Sequence, residues 1–182
     1  GQLKYGYIPS RELLSKYSDN DCRKKFWFNA SGKTTKKTPD YSEGMGPTNT
    51  LRISEAYLNR AEAYAQMDKA SEALADLNDL RRCRIVGYED ISIENVTDIL
   101  DEVRLERRLE LCYDEQRWFD LRRYGMPSIS HKYKAKKADS WLTFTLKEQD
   151  LLYTIPFSTT MIMNNNRLEQ NPSAYEPERK GI

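Results

Sequence analysis

The sequence predicts a mainly α fold in which antiparallel helix pairs are joined by irregular loops and a few short strands. From residue 51 to residue 125, apolar side chains recur three and four positions apart, as they do on a helix with one buried face. Two of these segments, 52–67 and 69–85, are separated only by a short turn near Asp68 and must therefore pack antiparallel. Residues 1–50 and 126–182 lack this regular spacing and carry turn and strand patterns instead.

The first 50 residues are predicted to be irregular, with one short helix. Ser10 is a typical N-cap for a helix over residues 11–17, because its hydroxyl can accept a hydrogen bond from the first free backbone N–H groups. Phe26-Trp27-Phe28 has the composition of a buried or half-buried strand. Residues 31–47, rich in Lys, Thr, Gly and Pro, are predicted to form a loop.

The helix pair over residues 52–85 has the period of a tetratricopeptide repeat, about 34 residues. Ala61 and Ala73 are small enough to let the helices approach, while Tyr64 and Leu77 fill the space above them. One complete repeat cannot bury its own apolar face, so further helices must pack on it. The pattern predicts these over residues 94–113 and 115–124, the second one ending at Gly125. Residues at the repeat's characteristic positions are Tyr57, Ala61, Tyr64, Ala73, Leu77 and Leu80.

The apolar stripe of the third predicted helix continues into charged residues. Val96, Ile99, Leu100 and Val103 occupy one face, and the same spacing then reaches charged side chains of both signs. An unpaired ion on a partly dry face costs several kcal/mol, so these charges must pair. We therefore predict a structural ion-pair network that contains Arg107, Glu110, Asp114, Arg117 and Asp120.

Composition excludes several functional classes. The 29 Lys and Arg residues nearly balance the 28 Asp and Glu residues, so net charge gives no reason to expect a nucleic-acid partner. Three cysteines without metal-ligand spacing argue against a disulfide scaffold and a metal site, and no motif implies a cofactor. No run of about 18 apolar residues is present. The basic segment 131–137 is predicted to be a solvated loop rather than a phosphate-binding patch.

Catalysis finds little support in the sequence. The only histidine, His131, lies among lysines, and the chain has no nucleophile or phosphate-loop motif. Glu106 and Glu110 are one helical turn apart and could imitate the carboxylate pair of a glycosidase. They lie between Arg104, Arg107 and Arg108, however, so ion pairing is the better interpretation and a glycoside hydrolase ranks last.

Glycan binding fits the aromatic content better. Twelve Tyr and three Trp residues are many for 182 residues, and sugar rings offer apolar C–H faces with a rim of hydroxyls. Core packing is the alternative for each aromatic side chain. We single out Trp27 and Trp141 as platforms, with Tyr41 as a further aromatic candidate and Asn29 as a polar neighbour. Alanine at both tryptophans should preserve folding and weaken glycan retention.

Residues 52–63 resemble the opening of the helix pair in the SusD/RagB family, surface glycan-binding lipoproteins of Bacteroidetes. Three further groups of residues resemble other motifs of this family. The central group follows the pattern Glu-Arg-Arg-x-Glu-Leu, then an acidic residue, then Arg-Trp-x-Asp-Leu-x-Arg. The departures are Glu115 where the family tends to have Gly, Thr160 where it has Glu, and Ser173-Ala174 where it has one Gly. The matching residues are Ser10, Leu13, Leu14, Tyr17, Asp21 and Arg23, then Glu106, Arg107, Arg108, Glu110, Leu111, Asp114, Arg117, Trp118, Asp120, Leu121 and Arg123, and finally Tyr153, Ile155, Pro156, Asn165, Leu168, Gln170, Asn171, Pro172 and Tyr175.

The resemblance implies that residues 1–182 are the C-terminal part of a SusD-like domain. Within it, 1–50 would be the irregular region, 51–125 the tetratricopeptide-like helices, and 126–182 a loop and the C-terminal signature. It further implies a non-catalytic role, capture of an oligosaccharide, and a SusC-like TonB-dependent outer-membrane transporter as partner.

The family is anchored at the outer-membrane surface through a lipidated cysteine. The chain opens with Gly1-Gln2-Leu3 and has neither an initiator Met nor such a cysteine there, so we expect it to be a fragment of a longer lipoprotein. The rival from another class is a protein–protein interaction scaffold that uses the groove of the helix pair and has no sugar ligand.

Overall fold

The computed structural model describes residues 9–28, 52–134, 136 and 139–182. The chain divides into two compact units, Gly1–Arg117 and Trp118–Ile182, which are described separately below. The mainly α fold with antiparallel helix pairs is confirmed.

The first unit begins with two short helices, α1 (Arg11–Ser15) and α2 (Cys22–Trp27). The Ser10 hydroxyl accepts from the Leu13 N–H, which confirms the predicted N-cap. The prediction of a strand over residues 26–28 is wrong, because the Asp21 carboxylate caps α2 and the helix continues through Trp27. Only Phe28 has extended backbone angles and turns into the interior.

The predicted antiparallel pair is confirmed as α3 (Ile53–Gln66) and α4 (Ala70–Arg82). The turn between them places Asp68 in the left-handed region, at φ 60°. Ala61 and Ala73 are fully buried and allow the two backbones to approach, as the spacing predicts. This core cluster consists of Leu58, Ala61, Ala73, Leu74, Leu77, Leu80, Val103 and Leu111.

The third helix, α5 (Ile99–Glu110), is shorter than predicted at both ends. Residues Ile93–Asn95 form a separate 3-10 turn. The helix starts only after Asp98, whose carboxylate accepts from the N–H groups of Leu100 and Asp101. At its other end the backbone leaves the helix, and Tyr113 and Glu115 adopt φ values of 65° and 62°. Glu115 therefore adopts the left-handed conformation that interrupts the helical segment, although the family tends to carry a glycine there.

A second core cluster of the first unit joins α1 and α5. It consists of Leu13, Tyr17, Phe28, Leu109 and Cys112. The buried Tyr17 hydroxyl donates to the Leu109 carbonyl at 2.8 Å. Since that carbonyl lies in the last turn of α5, the bond both satisfies a helix-end acceptor and fixes the segment that follows α1 against α5.

Helix α6 (Arg117–Arg123) leads into the second unit, and Gly125 follows it at φ 89°. Two strands, β1 (Ile129–Tyr133) and β2 (Leu142–Leu146), then pair antiparallel, with Ile129 opposite Leu146 and Tyr133 opposite Leu142. The strand predicted over residues 141–146 is confirmed except for its first residue. The loop predicted over 131–137 is wrong for residues 131–133, because their backbone groups pair with β2.

The remainder of the second unit consists of two 3-10 turns, Leu151–Tyr153 and Pro172–Tyr175, and helix α7 (Thr159–Asn164). Side chains of the C-terminal motif hold this segment together. Gln170 accepts from the Phe157 N–H and donates to the Phe157 carbonyl, and the Tyr153 ring stacks on Trp118 at 5.1 Å between ring centres. Among the described residues, no helix is long and apolar enough to cross a membrane.

Candidate functional site

Within the described part of the first unit, a heavily buried cluster of charges is centred on Arg23. Its guanidinium lies 2.8 Å from the Asp21 carboxylate, 2.7 Å from Glu106 and 3.0 Å from Glu110. None of these four side chains is more than about 3% exposed. Three carboxylates thus surround one guanidinium in a nearly dry interior, where each charge needs its partners.

Two further arginines supply the remaining positive charge. Arg81, at the end of α4, lies 2.8 Å from Glu106 and 2.7 Å from Glu102. Arg84, just beyond α4, binds Glu110 through two hydrogen bonds of 2.8 and 3.0 Å. The acidic residues of α5 therefore bind arginines from α2 and from the end of α4, which joins three separate parts of the unit.

The electrostatics of this cluster favour a structural role. Burial alone raises the pKa of Glu110, but the hydrogen bond and charge of Arg84 and the charge of Arg23 outweigh it and hold this pKa at about 2. Glu110 is 1% exposed and Glu106 2% exposed, so neither carboxylate reaches a cleft where a substrate could meet it. A glycosidase acid needs a raised pKa and access to the bond, and Glu110 provides neither.

The five residues of the predicted network do not form one continuous row, because α5 ends at Glu110. Arg107 donates to Asn59 at 2.7 Å and lies 3.9 Å from Glu55, both on α3. Asp114 lies 3.3 Å from Arg52.

Arg117 begins α6, and Asp120, in the second unit, lies 2.9 Å from Arg123. Sequence reasoning did not assign Arg81 and Arg84 to the network. It did not place Arg23 there either, although an acidic residue two positions before it, Asp21, offered a sequence signal for an ion pair.

A cavity of about 380 Å³ lies beside α4 in the first unit. Three of the charged side chains that line it are already paired with one another, since Arg82 lies 2.5 Å from Asp90 and also contacts Asp79. Asn78 likewise donates to the Ile91 carbonyl at 3.1 Å. The cavity therefore offers few free polar groups to a ligand.

The predicted glycan-binding residues fall in different environments. Trp27, in the last turn of α2, is half-buried and packs against the second core cluster. Asn29 and Tyr41 lie outside the described residues. Trp141, in the second unit, is 53% exposed, and the Lys134 ammonium lies 4.7 Å from its ring centre. Of the two described candidates, Trp141 therefore has the more exposed side chain.

Trp141 belongs to one face of the β1–β2 hairpin. Side chains alternate between the faces of a strand pair, so Ser130 and Lys132 share a face with their neighbours across the strand, Thr145 and Thr143. The Ser130 and Thr145 hydroxyls are 2.7 Å apart, and the contact between Lys134 and Trp141 continues the series by one more pair. We call Ser130, Lys132, Lys134, Trp141, Thr143 and Thr145 the hairpin polar face.

The opposite face of the hairpin is apolar. It carries Ile129, Tyr133, Leu142, Phe144 and Leu146 together with His131, which is exposed. The Tyr133 and Phe144 rings meet edge to face at 6.2 Å between centres. The backbone of Ile182 pairs with Thr143 through two hydrogen bonds of 2.7 and 3.0 Å and so covers the free edge of β2.

A family model settles the classification, because the model of the SusD family matches residues 11–173. The chain belongs to the SusD family. No curated protein is significantly similar to this SusD-family chain in sequence.

Two solved structures from Bacteroides vulgatus share the SusD-type fold. One, a SusD-like carbohydrate binding protein, is 20% identical with a TM-score of 0.58, over 89% of this chain and 41% of that protein. The other, described as a candidate sugar-binding protein, is 26% identical with a TM-score of 0.59, over 88% of this chain and 37% of that protein. The chain thus spans well under half the length of these two relatives.

Proposed function

We propose that this chain is part of a non-catalytic protein that captures an oligosaccharide at the cell surface and delivers it to a SusC-like TonB-dependent transporter. The family match over residues 11–173 is the observation that supports it most strongly. Two features of the geometry support it: the hairpin polar face carries Trp141, which is 53% exposed, and the acidic pair on α5 is buried and ion-paired.

The hairpin polar face has the chemistry that a sugar requires. The exposed part of the Trp141 ring can take up the apolar C–H face of a pyranose. The hydroxyls of Thr143, Thr145 and Ser130 and the ammonium of Lys132 follow along the same face and can exchange hydrogen bonds with the sugar's hydroxyls. An extended glycan lying along the strands would meet all of them.

A location at the outer-membrane surface, with a lipid anchor upstream of Gly1, belongs to the same proposal. Delivery to a transporter requires that the binding protein stay beside the pore, and a lipid anchor achieves this without a membrane-spanning helix.

Affinity gel electrophoresis against a panel of polysaccharides tests the binding function. We expect one or more of the polysaccharides to slow the chain, and Trp141→Ala to remove most of that effect. Phe119→Ala is the matched control, since Phe119 is 60% exposed in the same unit but lies on α6. Release of reducing sugar during the same incubation, or unchanged mobility with every polysaccharide, would contradict a non-catalytic glycan-binding role.

A second candidate, a protein–protein scaffold, has one specific observation in its favour. Two exposed cations lie over tyrosine rings of α3: Arg60, on the same helix, is 5.2 Å from the Tyr57 ring centre, and Lys69, just beyond the helix, is 5.9 Å from that of Tyr64. Aromatic and Arg side chains are common at interface hot spots. Co-purification with the transporter that is lost in the Tyr57→Ala variant, without any glycan retention by the wild type, would favour this candidate.

A further inference from the structure

We propose that the exposed side of α3 is the docking surface for a further helix of the same polypeptide, one that precedes these 182 residues in a longer protein. The inference concerns the first unit and does not depend on glycan binding.

A stripe of exposed side chains on α3 is the first observation. Five of them follow one another along the helix and its C-cap at spacings of three and four residues, the pattern with which one helix packs against another. The largest apolar ones, Ile53 and Met67, are 79% and 61% exposed, although such side chains are commonly buried. We call Ile53, Ala56, Arg60, Ala63 and Met67 the α3 stripe.

The shape of the α3 stripe suits a neighbouring helix. Ala56 and Ala63 alternate with the longer side chains, so the surface has notches into which the side chains of a second helix can fit. The same device joins α3 to α4, where Ala61 and Ala73 are fully buried.

The charge in the middle of the α3 stripe is already neutralised. The Arg60 guanidinium donates to both carboxylate oxygens of Asp76 on α4, at 2.6 and 2.9 Å. A helix that covers the stripe therefore desolvates a paired charge and leaves no lone one behind. The methylene groups of Arg60 add apolar surface to the contact.

The order of the helices indicates where the additional helix lies in the chain. Helices α4 and α5 already pack on α3. Paired helices of this type stack in chain order, and each pair buries its apolar surface against both neighbours. Because α5 follows the pair in sequence, the side of α3 that carries the stripe is the place for a helix that comes before it.

The size of the stripe favours the same polypeptide over a separate molecule. The 14 residues of α3 span about 21 Å, and a strip about 10 Å wide along them offers roughly a few hundred Å². Stable complexes of separate molecules bury about 800 Å² on each partner, so a second copy of the chain would be held weakly. A covalently linked helix needs less area, because the link supplies a high effective concentration.

The solved relatives contain additional polypeptide that can supply such a helix. This chain matches 41% of the length of the SusD-like carbohydrate binding protein and 37% of that of the second structure from Bacteroides vulgatus.

The test measures maleimide labelling of introduced thiols in the chain extended by its own residues upstream of Gly1. Cys83, which is exposed, is replaced by Ser, and the labelling rate of this parent protein is subtracted. We expect Ala63→Cys in the stripe to react at least about tenfold more slowly than Ala75→Cys, which replaces an exposed alanine on α4. Without the upstream residues, the two thiols should react at similar rates.

A second variant assigns the protection to helix docking. Met67→Cys should also be protected in the extended protein, and the additional change Ala63→Arg should restore rapid labelling, because the long side chain fills a notch that the docked helix needs. Ala75→Arg is the matched control and should leave the protection of Met67→Cys unchanged.

Equal labelling rates for Ala63→Cys and Ala75→Cys in the extended protein would overturn the inference, as would protection of Met67→Cys that Ala63→Arg does not remove. Protection that depends on protein concentration, with the mass of a dimer in light scattering, would assign the stripe to a second copy and reject the proposal. Protection that appears only after the transporter is added would reject it equally. Retention by polysaccharide is measured separately, so the docking inference and the glycan-binding function can fail independently.

Discussion

Replacement of Glu110 by glutamine should destabilise the first unit strongly. The substitution keeps the shape of the side chain but removes the charge that faces Arg23 at 3.0 Å and Arg84 at 2.8 Å. Arg23 is 2% exposed and cannot recover its solvation by turning to water. Removal of one partner from a buried ion pair typically costs about 3–5 kcal/mol, since the remaining charge stays buried.

The assay is urea unfolding followed by circular dichroism at 222 nm, a signal that α3, α4 and α5 dominate. The control is Glu12→Gln, which breaks the exposed pair between Glu12 and Arg108 and should cost about 0.2–1 kcal/mol. We expect the midpoint for Glu110→Gln to fall far below that for Glu12→Gln with an unchanged slope. Similar midpoints for the two variants would refute the argument that these buried charges hold the helices together.

The remaining predictions concern pH, the core, the break after α5 and the C-terminus. The pKa of Glu110 is about 2 in the folded chain, against an ordinary value of 4.5. The ionised carboxylate therefore contributes about 3 kcal/mol to the free energy of unfolding above pH 4.5, and this contribution is lost as the pH falls towards 2. In acid titrations Glu110→Gln should accordingly lose less stability over this range than the wild type. Leu77→Ala should cost about 2–5 kcal/mol in urea unfolding, because Leu77 is fully buried between α3 and α4, and a loss below 1 kcal/mol would contradict the packing described. Glu115→Gly should raise the unfolding free energy by about 1 kcal/mol, since φ is 62° at this position, whereas a loss of stability would argue against the left-handed turn. Gly181→Ala should speed hydrogen exchange at the Thr143 amide, which donates to Ile182. An added Cβ would lie 2.7 Å from the Leu142 Cβ and 2.8 Å from the Phe144 ring, so the C-terminal segment would have to move away from β2. Unchanged protection would show that the C-terminus does not pair there.

The helix pair could be predicted from the sequence because its determinants are local and periodic. Ala61 and Ala73 mark the close approach of α3 and α4, and the turn residue Asp68 falls between two uninterrupted apolar patterns. The same reliance on periodic spacing placed the start of α5 too early. Val96 continues the apolar spacing and does pack against the core, but it does so from outside the helix, which begins after the Asp98 cap.

The errors at residues 26–28 and 131–133 have a common physical cause. Phe26 and Trp27 have strand-forming composition, yet the capping carboxylate of Asp21, five and six residues upstream of them, decides in favour of a helix. His131 and Lys132 have loop composition, yet pairing with β2 decides in favour of a strand. In both places the deciding contact lies outside the segment, so composition alone could not have found it.

The partners within the charged cluster were beyond sequence reasoning for the same reason. Arg23 and Glu110 are separated by 87 positions and are joined only by the packing of α2 against α5. In contrast, Trp141 was predicted as a platform from its type and position, and the structure shows its ring exposed.

The most direct test of a glycan site on Trp141 follows the three tryptophan indole N–H resonances by NMR while a retained polysaccharide fragment is added. The chain has three Trp residues, so Trp→Phe variants assign each resonance. We predict that the Trp141 resonance shifts progressively to saturation, while those of Trp118, stacked on Tyr153, and Trp27, packed in the first unit, stay in place. A shift of the Trp27 resonance with Trp141 unmoved, or no shift at saturating glycan, would contradict this assignment.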